Sequence, residues 1–384
     1  VTPTVSVHAR IAEIGRAAWD ACVAACAESG NPFIGFDYLD ACETAGCAVE
    51  RTGWGPRHLA VRAEDGEVLG VMPLYLKRHS QGEYVFDHGW AQAYEQAGGR
   101  YYPKLQAAVP FTPVTGPRLI ARQDRDPVGV RRLLLEAAVT LCGQERASSL
   151  HVTFPTEAEW TEMGALGLLQ RQDQQYWWTN AGYATFEDFL AALSSSRRKA
   201  IRRERREAQA NLEIVTVTGD QITEDHWDAF YAFYMDTGAR KWGRPYLNRT
   251  FFALIGERMA DKVALILARR DGRWIAGALN FIGADTLYGR QWGALEHVSF
   301  LHFELCYYQA IDFAIARGLK RVEAGAQGEH KITRGYLPAP VYSAHYIADP
   351  RLRTPVARYL AEERAAVAEG MDALAAEFSP FKAG

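Results

Sequence analysis

A short stretch, Glu323-Ala-Gly-Ala-Gln-Gly-Glu-His-Lys331, runs on to Arg334-Gly-Tyr336 and gathers glycine, carboxylate, imidazole and ammonium in one loop. An imidazole beside a carboxylate is the usual general base for taking a proton from an attacking amine. A nearby cation can steady negative charge on a tetrahedral intermediate. His330 and Glu329 are therefore candidates for proton handling, and Lys331 and Arg334 for holding an oxyanion or phosphate. The competing reading makes Glu329 and Lys331 solvated loop charges and leaves His330 bonded only to backbone.

Three further clusters could bind. Ser194-Ser-Ser-Arg-Arg-Lys-Ala-Ile-Arg-Arg-Glu-Arg-Arg-Glu-Ala208 carries seven cations in one helical segment of a chain whose net charge is -3. At 100° per residue Arg198, Arg202, Arg205 and Arg206 share a broad outward arc, Ala200, Ile201 and Ala208 form a narrow docking strip, and Ser194 to Ser196 supply the N-cap. Such an arc is either a solvated surface or a phosphate-binding face, where arginine gains from bidentate geometry. Arg240-Lys-Trp-Gly-Arg-Pro-Tyr246 sets Trp242 and Tyr246 among cations including Arg244, a mixture suited to stacking or to plain structural packing. In the first half, Asp87, His88, Tyr102 and Lys104 lie in a long Pro- and Gly-rich aromatic stretch and are candidates for an acceptor pocket, against a structural role for the tyrosines.

The elements needed to position these groups alternate between helix and strand. In the first half, strands at 58–62 and 68–76 flank a D-G turn, and a helix over 128–143 leads to a strand at 149–154. In the second, strands at 263–268 and 274–282 flank Asp271-Gly272, a strand at 287–292 follows, and a helix over 303–316 leads to a strand at 321–324. One α/β unit used twice explains this order, with domains expected at 1–181 and 182–384 and a last helix over 351–378.

Composition narrows the class. Hydrophobic residues at 48% and charged ones at 23% are globular values, and the small net charge confines any nucleic-acid contact to a local patch, with no DNA partner expected. No run approaches the roughly 18 apolar residues of a membrane span and no leader pattern is visible, so a cytoplasmic location is expected. Six cysteines without a CxxC pair give no disulfide framework, and His302-Phe-Glu304 lacks the PCxxC partner of a zinc deaminase, so no metal is expected. No P-loop, G-x-S-x-G elbow or GxGxxG fingerprint appears.

Asn31-Pro-Phe33, Pro110-Phe-Thr-Pro-Val-Thr-Gly-Pro-Arg118, the basic segment, Lys241-Trp-Gly-Arg-Pro-Tyr246, His302-Phe-Glu-Leu-Cys-Tyr-Tyr308 and Gly325-Ala-Gln-Gly-Glu-His-Lys331 together resemble the FemAB-like N-acyltransferases of the GNAT superfamily. The resemblance implies an α/β fold of tandem GNAT-like domains, each a mixed, mostly antiparallel sheet flanked by helices. It implies amide formation on a small amine or peptide acceptor, with no permanently bound cofactor and with aminoacyl-tRNA or acyl-CoA as co-substrate. Arg290, Gln291 and Gly293, expected where a strand ends ahead of a helix, would anchor the donor as α/β folds anchor phosphates. Leu295 occupies the last small position of the CoA-loop pattern, and the basic segment favours the polyanionic tRNA, steered by Arg198, Arg202 and Arg206. The rival is a non-catalytic module that binds RNA or cell-wall precursors.

Overall fold

The computed structural model of the chain describes residues 3–242, 245–325 and 328–382, without the side chains of Lys241, Trp242 and Glu329. It divides into two compact units, Val1–Asp173 with Pro340–Ala368, and Gln174–Ala339 with Glu369–Gly384. A single cut near Gly182 does not describe this division. Strand Leu169–Thr179 starts in the first unit and ends in the second, strand Leu337–Ile347 passes back, and helix Pro350–Phe378 passes over again. Each unit thus borrows a strand from the other half of the sequence, which local composition does not reveal.

In the first unit, strands Thr4–His8, His58–Arg62, Val68–Met72 and Ile120–Ala121 form an antiparallel sheet in that order. Asp65-Gly66 makes the expected turn, with Gly66 at φ 87°. Pro73 has no amide hydrogen for a ladder and splits the expected 68–76 strand, so that Leu74–Lys77 joins the other sheet. There Trp54–Pro56, Leu74–Lys77, Lys104–Ala107, Ser149–Thr153 and residues 343–347 lie side by side, with only the Lys104–Ala107/Ser149–Thr153 pair parallel. Parallel neighbours need a crossover, which helix Pro127–Gln144 provides. Its stripe of Val130, Leu134, Leu135, Ala138 and Leu141 packs on Leu59, Leu105, Leu150 and Val152. The aromatic stretch is more ordered than its composition suggests, holding helix His88–Gln96 and strand Lys104–Ala107. Its last part is pinned by the fully buried Arg118, which donates to the carbonyls of Val114 (2.6 Å), Gly116 (2.9 Å) and Thr153 (3.0 Å).

The second unit repeats the order. Strands Glu213–Thr218, Val263–Arg270, Arg273–Ile282 and Thr286–Ala294 are antiparallel neighbours, and a helix from Leu301 to Ala316 crosses over to Arg321–Glu323, parallel to the start of Thr286–Ala294. Asp271 (φ 50°) and Gly272 (φ 76°) both adopt the left-handed conformation that a two-residue hairpin turn requires. Residues 177–179 pair antiparallel with Arg321–Glu323. Hairpin, strand, helix and parallel strand therefore occur in both units, in mostly antiparallel sheets with helices packed on them, as expected of GNAT-like domains in tandem; the first unit divides its strands between two sheets.

Candidate active site

The second unit's sheet opens where its parallel pair ends. Thr286–Tyr288 pairs with Arg321–Glu323, after which the first strand runs on alone on that side to Ala294. On its other side the register jumps from Gly289↔Asn280 to Gln291↔Leu279, which leaves Arg290 as the extra residue of a bulge. Arg290, Gln291 and Gly293, expected where a strand ends ahead of a helix, all lie within the strand, which runs on to Ala294. Arg290 is turned inward and its Nη2 pairs with Glu323 at 3.2 Å, with 2% and 0% of the two side chains exposed. A guanidinium so enclosed and neutralised is not open to a carrier's phosphate. Gly293 has a packing role: a Cβ there would sit 2.2 Å from the Phe233 carbonyl oxygen, so glycine lets helix Glu224–Trp242 lie directly on the strand. Gln291 Oε1 is buried without a hydrogen-bond partner among the described residues.

Past the end of that strand, Trp292, Phe300, His302, Phe303, Thr237 and Arg240 line a cavity of about 460 Å³. The aromatic wall extends from it to the imidazole of His330. Trp292 meets His302 edge-on at 5.1 Å between ring centroids, His302 meets Tyr307 at 5.3 Å, and Phe303 lies 5.5 Å from the His330 ring. The helix carries a π-turn at Glu304–Tyr308, whose extra residue turns Tyr307 as well as Phe303 toward the imidazole. The Tyr307 hydroxyl is 3.1 Å from His330 Nε2. Gly328, at φ 110°, lies where any Cβ would strike the imidazole. His330 is itself exposed. Partial burial and then the Arg334 and Lys331 cations lower its pKa, so the imidazole is neutral at physiological pH and free to accept a proton.

The other cations of this loop face inward. Lys331 is buried and donates to the carbonyls of Ala324 (2.6 Å) and Gly325 (3.3 Å), bracing the loop as it leaves the sheet; burial pushes its pKa down to about 8. Arg334 is buried over the Phe303 ring at 3.5 Å and is gripped by Glu204 through Nε (3.2 Å) and Nη2 (2.8 Å). Phosphate or oxyanion contacts expected of these two are thus replaced by internal ones. The Glu329 side chain lies outside the described residues.

The basic segment forms helix Ser195–Gln209, but its docking face is more polar than expected. Ile201 and Ala208 are buried, and so is Glu204. Arg205, expected outside, turns in to Glu304 (3.0 Å) and Asp312 (2.7 Å), because a fully buried carboxylate needs a cation. Ser194 makes no capping side-chain bond. Arg197, Lys199, Arg202, Arg203 and Arg206 are exposed and Arg198 is half-buried, so an outward basic ridge remains, partly met by Glu187 at Arg202 and Glu207 at Arg203.

The acceptor candidates are distributed over both units. Trp242's side chain and Arg244 lie outside the described residues, and Tyr246 is 39% exposed. In the first unit Lys104 is fully buried, donating to Ser80 (2.7 Å), Glu83 (2.7 Å) and Asp87 (2.5 Å), while the Tyr101 hydroxyl donates to Asp87 at 2.7 Å. Asp87 and Lys104 therefore belong to a closed charge network and present nothing to a surface acceptor; His88 is exposed and Tyr102 half-buried beside it. Sequence reasoning missed Tyr307, Phe303, Trp292 and Glu204. The available signal was the Phe303/Tyr307 spacing beside a helix start and an acid flanked on both sides by arginines.

A family profile described as FemAB-like, peptidoglycan biosynthesis/recognition, matches residues 10–383. The chain belongs to the FemAB-like family. Among curated proteins none matches significantly. The fold is similar to that of FemX at 13% identity, over 89% of this chain and 98% of that one, with a TM-score of 0.56. It is similar to a conserved protein of unknown function from Bacteroides thetaiotaomicron (12% identity, 90% and 100% covered, TM-score 0.52) and to L-PGS from Bacillus licheniformis (10%, 83% and 96%, TM-score 0.50). No helix among the described residues is long and apolar enough to cross a membrane.

Proposed function

We propose that this FemAB-like protein transfers an aminoacyl or acyl group from an activated carrier, with aminoacyl-tRNA favoured, to the amine of a small or peptide acceptor such as a cell-wall precursor. The observation that carries this reading is the exposed, neutral His330, held by Tyr307 at the border of an aromatic cavity. The amine nitrogen attacks the carrier's carbonyl carbon, forming the C–N bond. His330 takes the ammonium proton and returns it as the carbon–oxygen bond to the carrier breaks and its hydroxyl leaves. Holding both reactants in place supplies up to roughly 7–11 kcal/mol of the barrier, so the base adds to positioning and does not replace it.

The exposed ridge of Arg197, Lys199, Arg202, Arg203 and Arg206 supports a polyanionic carrier. The apolar cavity beside the parted strands supports acyl-CoA as the second reading. Incubation with labelled aminoacyl-tRNA or acyl-CoA and a panel of amines, read by mass spectrometry, tests both. A new amide from the charged tRNA alone supports the first, one from the thioester alone supports the second, and RNA binding without product supports a recognition module. His330→Ala should lower single-turnover rates by about 10²-fold or more; near-full turnover at saturating donor would remove the base assignment and leave the transferase.

A further inference from the structure

The basic helix carries one buried acid, and its contacts lead to the imidazole. Glu204 is 8% exposed, a rare state for glutamate unless it is paired. Both its oxygens accept from Arg334, at 2.8 and 3.2 Å, and it accepts a further bond from the Tyr308 hydroxyl. Arg334 gives its remaining Nη1 to the His330 carbonyl oxygen at 2.7 Å and stacks on Phe303, the ring that flanks the imidazole. Tyr308 is next to Tyr307, whose hydroxyl meets His330 Nε2, so Glu204 fixes both the backbone that bears the imidazole and the π-turn that bears its partner.

We propose that Glu204 is a positioning residue for His330, acting through Arg334. A carboxylate at this point does two things that an apolar residue of the same size cannot. It fixes the plane of the guanidinium by bidentate pairing, and by doing so it fixes how that cation bears on the imidazole. Among the described residues, the charged and titratable groups facing His330 are Tyr307 from the helix that runs from Leu301 to Ala316, Arg334 and Lys331 from its own short helical turn Glu329–Arg334, and Glu204 behind Arg334. The inference rests on His330 as the base, but its test needs no substrate and is separate from turnover.

The test is a histidine NMR titration of the full chain, reading the His330 midpoint in a double-mutant cycle, with His226 and His297 of the same unit as internal controls. Glu204→Gln should lower the His330 midpoint by about half a pH unit or more, because Arg334 is no longer held back from the imidazole by its bidentate partner. Arg334→Gln should raise it, and adding Glu204→Gln to that background should change it no further. The controls should stay fixed, which a general loosening of the fold would not permit. If Glu204→Gln alone does not fold, Glu204→Asp, which keeps the charge but draws the carboxylate back from Arg334, decides: a displaced His330 midpoint supports the proposal and an unmoved one overturns it. A midpoint unmoved by either variant, or a Glu204 effect that persists without Arg334, overturns it.

Discussion

Lys104→Met would test whether the buried charges of the first unit are structural. The ammonium is fully buried and makes three hydrogen bonds, one to a hydroxyl and two to carboxylates. Burial works against the Asp87 charge, yet the Lys104 ammonium holds its carboxyl well below the ordinary range; burial raises Glu83. The second cation, Lys77, lies 3.3 Å from Glu83, and burial lowers it to about 7. His151 is pushed down to about 3 by burial and offers no positive charge. Methionine would therefore leave two buried carboxylates facing a single lysine, at a cost of about 3–5 kcal/mol near pH 7. The sign with pH follows from Asp87. A depressed folded-state pKa adds stability above the unfolded value near 3.9, and that stability is lost as pH falls toward the folded value. The variant lacks this contribution, so its deficit should be full above about pH 5 and shrink below about pH 4. Hydrogen exchange of strand Lys104–Ala107 at the two pH values reads the first unit directly. A deficit under about 1 kcal/mol, or one that does not shrink in acid, would refute the reasoning. Asp87→Asn added to Lys104→Met should recover part of the loss.

Gly293→Ala should destabilise the second unit by about 2–3 kcal/mol in urea unfolding, since the added carbon meets helix backbone and not a movable side chain; a purely ligand-binding glycine would leave stability unchanged. Lys331→Met should flatten the alkaline stability profile. The folded lysine titrates near 8 and the unfolded one near 10.5, so the unfolded chain binds more protons between these values and wild-type stability rises with pH across that window, as thermal midpoints would report. Arg205→Leu should cost about 3 kcal/mol or more by stranding the fully buried Glu304, whereas Arg202→Gln or Arg206→Gln should leave the melting midpoint in place. If the outer face binds tRNA, each of those outer variants should reduce the slope of log affinity against log salt by about 0.7–0.9.

Much of this architecture is legible in the sequence because its causes are local. The two D-G hairpins follow from residues that accept positive φ, and the crossover helices from apolar stripes at helical spacing. The repeated order of elements indicates a doubled unit, and the quoted motifs indicate the family. The basic segment reads as a helix with cations outward, and His330 as an exposed imidazole in a glycine-bearing loop. Which charge faces which way is a different kind of fact. Arg205 turns inward because Glu304, 99 positions away, is buried there. Arg290, Lys331 and Arg334 are taken up by Glu323, two loop carbonyls and Glu204. The exchange of strands between the units and the packing role of Gly293 depend in the same way on partners far off in the chain. Residue type and spacing settle local conformation and the charge available, while the pairing of a buried charge is settled by whichever distant group the fold brings within about 3 Å.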